Sequence, residues 1–155
     1  MCQINLDVSW LNREIICGII TCCYLLVLSI QDIRERVISG RYLAAGAVAA
    51  VAYQIIVDAQ PFWSCLAGVL MGGVFIGISK LTRESLGYGD SFLIAVLGLY
   101  LGIWNLMYVL VLAFTMASLY SVIVLIRFRY HKKKTLPFVP FLTAGHIIFV
   151  LFEVL

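Results

Sequence analysis

The stretch SFLIAVLGLYLGIWNLMYVLVLAFTMASLYSVIVLI, residues 91–126, decides the fold. It runs for thirty-six residues without a charged side chain. A membrane-spanning helix needs about 20 apolar residues, so this stretch is too long for one crossing and suits two short ones joined by a tight turn. The turn is expected at Gly102-Ile103-Trp104-Asn105. Asn105 is the one strongly polar side chain in the middle of the stretch, and Trp104 suits a membrane interface.

Four further apolar runs flank it, at Ile15–Ile30, Tyr42–Val57, Phe62–Ser79 and Leu136–Phe152, the last opened by Pro137 and Pro140. Each is near the length of a crossing once flanking residues extend it to the interface. The chain is 63% hydrophobic and 12% charged, about half the charged fraction of a soluble domain. So much apolar surface cannot hide in one small core, and lipid is the solvent that suits it. The expected fold is all-α: a polytopic bundle of six transmembrane helices forming one integral-membrane domain over residues 1–155.

Charge distribution orients this bundle. With the N-terminus outside, segments 31–41, 80–90 and 127–135 face the cytoplasm. They hold ten of the eleven Lys and Arg residues, leaving only Arg13 outside, as the positive-inside rule requires. Counting residues 91–126 as a single span would set Lys80 and Arg83 opposite the 127–134 cluster and spoil the asymmetry. That cluster reads as a topology anchor that also meets anionic lipid. No folded reader of nucleic acid surrounds it, so none is expected as a partner.

The five cysteines, Cys2, Cys17, Cys22, Cys23 and Cys65, form no Cys-x-x-Cys pair and read as buried free thiols acting as small hydrophobes. His131 and His146 have no second ligand at metal-binding spacing, so no metal is assigned. The first fourteen residues lack a basic n-region, and no cleavable signal peptide is expected. Gly68-x-x-x-Gly72, Gly73-x-x-x-Gly77 and Gly98-x-x-x-Gly102 let helices approach closely. Packing within the monomer is their expected use, ahead of dimerisation.

Two carboxylates stand out. Asp32 lies where the first apolar run stops, and Asp90 opens the fourth helix after Gly87-Tyr88-Gly89. The expected topology sets both at one membrane depth on the cytoplasmic side. A carboxylate at a membrane helix end is costly and calls for a partner or a task. Two close carboxylates cannot both ionise cheaply, so they share a proton. One then takes a proton from an attacking water while the other donates to the carbonyl oxygen of a scissile peptide bond. No covalent intermediate, metal or cofactor is required. Gly87 and Gly89 would let a substrate strand approach closely. The plainer reading is that Asp90 caps its helix, where a carboxylate is favoured. Glu35 and Glu84, beside the aspartates, would either attract a basic segment of substrate or pair with Arg34, Arg36 or Arg83; such exposed pairs contribute little.

Gly87-Tyr88-Gly89-Asp90 resembles the GxGD motif of the type IV prepilin peptidases, membrane aspartyl proteases that include the archaeal preflagellin peptidases. Asp32-Ile33-Arg34-Glu35-Arg36-Val37-Ile38-Ser39-Gly40 resembles the family's first aspartate segment, with Gly40 where Asn is frequent. Leu136-Pro137-Phe138-Val139-Pro140-Phe141-Leu142 is similar to the Pro-Phe-x-Pro-Phe segment that opens the family's last helix. Phe92 stands where many relatives have Lys. The resemblance implies that Asp32 and Asp90, and only these two, are the catalytic residues. It implies cleavage of short basic leaders from prepilin-like precursors of type IV pilus and protein-secretion systems, at the cytoplasmic face of the cell membrane. It also implies a peptidase-only form without the methyltransferase region of larger members. The rival expectation is a small proton- or cation-coupled transporter or channel subunit, which would need carboxylates near the bilayer midplane.

Overall fold

The computed structural model describes residues 3–35, 40–57, 60–81, 87–128 and 137–154. They form five helical elements and no strand: α1 (Gln3–Glu35), α2 (Gly40–Val57), α3 (Phe62–Leu81), α4 (Tyr88–Phe128) and α5 (Val139–Val154). Four are long and apolar enough to cross a membrane, over Ile15–Glu35, Gly40–Val57, Phe62–Leu81 and Tyr88–Arg127, and Val139–Phe152 is a shorter apolar helix. Large apolar side chains cover the outside, among them Ile55, Ile56, Trp63 and Ile126, each more than three-quarters exposed. That surface is suited to lipid tails rather than water.

Six helices were expected from the sequence and five elements are present among the described residues. The difference lies in α4, whose 41 residues are interrupted at Gly102, with φ 70° and ψ 179°. That conformation is essentially restricted to glycine. The interruption falls at the start of the turn expected at residues 102–105. The contacts of α3 show how the two parts of α4 run. Ser64, Cys65, Gly68 and Gly72 of α3 meet Ile103, Leu99, Gly98 and Ala95 in turn. Phe75 then stacks on Phe114, with ring centroids 5.9 Å apart. The second part of α4 therefore runs back along the helix that the first part has already descended.

The broken turn leaves backbone groups to be satisfied. In an unbroken helix Ile103 N–H would bond Leu99 O. Here Ile103 N–H donates to Ser64 Oγ at 3.1 Å. The Cys65 thiol lies 3.7 Å from Leu99 O, and the Cys17 thiol 3.4 Å from Tyr100 O. Two thiols expected to be inert small hydrophobes thus act as weak donors to the carbonyls that precede the break.

Glycine sets the tightest helix contact. A Cβ on Gly68 would sit 2.7 Å from Gly98 Cα, so the backbones of α3 and α4 touch there. Gly72 likewise faces the Ala95 backbone. By contrast, no described residue lies within 4 Å of a Cβ built on Gly73 or Gly77. The Gly68/Gly72 and Gly98/Gly102 spacings are used inside the monomer as expected, while the Gly73/Gly77 spacing packs against no described residue. The core is filled by Leu25, Leu28, Leu93, Leu97, Leu106, Val109 and Leu142. Helix α2 is tied on through tyrosine hydroxyls: Tyr24 OH donates to Tyr42 O and Tyr100 OH to Gly46 O, each at 3.3 Å. Helix α5 lies against α1 and the second part of α4. Its Thr143 hydroxyl lies 3.3 Å from Leu25 O and its His146 Nε2 3.2 Å from Gly18 O.

Candidate active site

Asp32 lies one turn before the end of α1, which runs to Glu35 rather than stopping at the aspartate. It is 6% exposed, although charged residues are almost never this buried without a partner. Its partner is backbone. Val139 N–H donates to Asp32 Oδ2 at 3.2 Å.

The local sequence of α5 explains that contact. Phe138 O accepts from Phe141 N–H at 3.1 Å and from Leu142 N–H at 3.2 Å, which makes Phe138 the N-cap and Val139 the first helical residue. The second position is Pro140, which has no N–H. Phe141 N–H is already used by Phe138 O. Val139 N–H is therefore the first-turn donor left over, and the carboxylate of Asp32 takes it. The partial positive charge of a helix N-terminus favours a carboxylate at that place.

Asp90 sits in the first turn of α4. Gly87 O accepts from Asp90 N–H at 3.1 Å and from Ser91 N–H at 3.3 Å, so Gly87 is the N-cap of α4. The Asp90 carboxylate folds back over it: a Cβ on Gly87 would stand 3.4 Å from Asp90 Oδ2. Any larger side chain at 87 would grow over the face of that carboxylate. Gly89 lies within the same first turn. Asp90 is half-buried, and Asp32 is the charged group that acts on it. The fold thus brings the two aspartates, from α1 and α4, into electrostatic range at one end of the bundle, beside the start of α5.

The glutamates fall differently. Glu35 is exposed and its Oε2 accepts from Gln31 Nε2, one turn back, at 3.3 Å. Glu84 lies outside the described residues, as do Ile38, Ser39, Arg36, Arg83 and His131. Phe92, two residues after Asp90, is 52% exposed on the outside of α4.

Val139 was not among the residues singled out from the sequence. It carries no functional side chain, and its contribution is a main-chain N–H 107 positions away from Asp32. The signal that could have found it is Pro140, which removes one first-turn donor and leaves a neighbour unsatisfied. His146 was read as a lone histidine without a metal role. It is fully buried between α5 and α1, and its Nδ1 has no hydrogen-bond partner among the described residues.

Comparison with known proteins adds an independent line. The chain is 26% identical over 143 residues to a prepilin leader peptidase/N-methyltransferase of Bacillus subtilis (strain 168), a match that covers 92% of this chain. The chain spans 58% of the length of that relative. No solved structure matches it. The sequence pattern of the type IV leader peptidase family matches residues 19–122, a segment that contains Asp32, Gly87, Gly89 and Asp90. The chain belongs to the type IV leader peptidase family.

Proposed function

We propose that this protein is a membrane aspartyl endopeptidase that removes the short basic leader from prepilin-like precursors. The observation that carries the reading is the convergence of Asp32 and Asp90 at one end of the bundle, one buried and one half-buried, within electrostatic reach of each other. Family membership supplies the reaction class.

The chemistry follows from two carboxylates holding one proton. The ionised carboxylate accepts a proton from water as the water oxygen bonds to the peptide carbonyl carbon. The protonated carboxylate gives its proton to the carbonyl oxygen. The tetrahedral intermediate collapses as the C–N bond breaks, and the leaving amine takes up a proton from the pair. One hydroxyl of the intermediate gives its proton back to the pair as the carbonyl re-forms, so each turnover ends, as it began, with one shared proton. The half-covered face of Asp90 above Gly87 is where the scissile peptide would rest, with Gly89 on the same turn, and exposed Glu35 is available to a basic leader; Glu84 is assigned the same task.

We read residues 1–155 as one integral-membrane domain with six crossings, in which α4 contributes two that meet at Gly102. The return of α4 along α3 supports that count. With ten of eleven Lys and Arg on one side, the aspartates lie at the cytoplasmic face of the cell membrane. A proton- or cation-coupled transporter or channel subunit is the weaker reading, because Asp32 and Asp90 belong to helix ends rather than to the middle of the bilayer.

The test uses the purified protein in vesicles and a precursor with a short basic leader ending in glycine, followed by an apolar helix. Leader loss is scored by gel mobility. Asp32→Asn and Asp90→Asn should each reduce cleavage by at least about a thousandfold, as removal of a catalytic side chain does elsewhere, with normal amounts of protein in the membrane. Parental cleavage by either variant would end the reading.

A further inference from the structure

We infer that the first turn of α5 is a positioning element for catalysis: the Val139 N–H holds the Asp32 carboxylate in its working orientation. The inference rests on the peptidase reading above and adds to it a group that carries no side-chain chemistry.

Three observations converge on Val139. Its N–H donates to Asp32 Oδ2 at 3.2 Å, and both residues are buried. Its neighbours cannot substitute, since Pro140 has no N–H and Phe141 N–H is used by Phe138 O. And α5 is held in place close to this contact: the Thr143 hydroxyl lies 2.8 Å from Val139 O and 3.3 Å from Leu25 O on α1. The donor is thus fixed relative to α1 by a second link, one turn along α5 and two turns along α1.

A carboxylate can accept several hydrogen bonds. Val139 occupies one site on Oδ2 and leaves the remainder for water and for the proton shared with Asp90. Without the contact, the Asp32 side chain would be free to turn toward other rotamers. Small misplacements of a reacting group cost far more in rate than in binding. The bond to Val139 therefore acts on kcat, and Val139 itself is a positioning residue.

The natural experiment deletes the N–H and keeps the rest. Val139→Pro does this at the one helix position where proline fits best. The paired control, Val139→Ala, keeps the N–H and removes buried side-chain volume. Expected for Val139→Pro is a fall in kcat of about tenfold to a hundredfold with KM within about twofold of the parent, since ground-state binding is untouched. Val139→Ala should keep kcat within about threefold. A proline variant with parental kcat would overturn the inference. So would an alanine variant that loses as much as the proline variant, because packing rather than the N–H would then be responsible. If the proline variant does not accumulate in the membrane, α-hydroxyisovaleric acid introduced at position 139 replaces the N–H with an ester oxygen and keeps the side chain; the same two outcomes decide. Failure here is distinct from failure of the peptidase reading, which shows as cleavage by Asp32→Asn or Asp90→Asn.

Discussion

Gly87 is the residue at which sequence and geometry meet most directly. The sequence suggests that glycine is there to admit substrate, and the structure gives that idea a distance. A Cβ at 87 would stand 3.4 Å from Asp90 Oδ2, ordinary contact that strains nothing. A branched side chain would extend over the carboxylate and crowd whatever is bound to it. Gly87→Ala should therefore leave the fold intact and lower leader cleavage modestly, by a few-fold. Gly87→Val should lower it by about a hundredfold or more, the scale of a misplaced reacting group, with only the small drop in thermal unfolding midpoint in detergent that valine in place of an N-cap glycine costs. Equal loss of stability and activity in Gly87→Val would show that the position serves the helix start alone. Asp32 and Asp90 were legible as a pair because charge is scarce in this chain. The amide that holds Asp32 was not, because nothing in a side-chain pattern marks a main-chain donor 107 residues away.

At the scale of elements, α3 and α4 are joined where glycines meet, and the same composition on another face of α3 meets no described residue. This makes a sharp contrast. On Gly98, a Cβ would run into the Gly68 backbone, which cannot yield as a flexible side chain could. Gly98→Ala should cost about 1–3 kcal/mol, the usual range for overpacking, read as a lower unfolding midpoint in detergent. Gly73→Ala and Gly77→Ala meet open space and should be neutral or slightly stabilising, since alanine favours helix over glycine by about 1 kcal/mol. If all three variants behave alike, close backbone contact is not what binds α3 to α4. The sequence shows these spacings but not which of them faces a neighbour. The hydrophobic signal is nearly uniform around each helix, so periodicity cannot choose a face. The break in α4 was legible for the opposite reason: length alone forbids thirty-six apolar residues from making one ordinary crossing. The sequence could not show how the break is sealed. That depends on Ser64, Cys65 and Cys17 arriving from other helices to meet Ile103 N–H, Leu99 O and Tyr100 O.

At the scale of the whole molecule, the location of the chemistry depends on how α4 crosses the membrane. If its two parts are two crossings, Tyr88 and Arg127 lie on one side and Trp104 on the other. If α4 is one crossing, Tyr88 and Arg127 lie on opposite sides and Trp104 is in lipid. Trp104 is 75% exposed and follows the Gly102 break, while Tyr88 is 39% exposed and precedes Asp90, so both positions can report. The background for labelling is a chain whose cysteines are replaced by serine, which keeps a donor at positions 17 and 65 for Tyr100 O and Leu99 O. In intact cells, Trp104→Cys should react with a membrane-impermeant thiol reagent. Tyr88→Cys and Arg127→Cys should react only after the membrane is opened. Labelling of Arg127→Cys from outside, with Tyr88→Cys protected, would mean that α4 crosses once. That outcome would also spread the basic residues across both faces, against the charge bias that orients helical membrane proteins. The positions of the aspartates within the bundle would stand, but their assignment to the cytoplasmic side would lose its support.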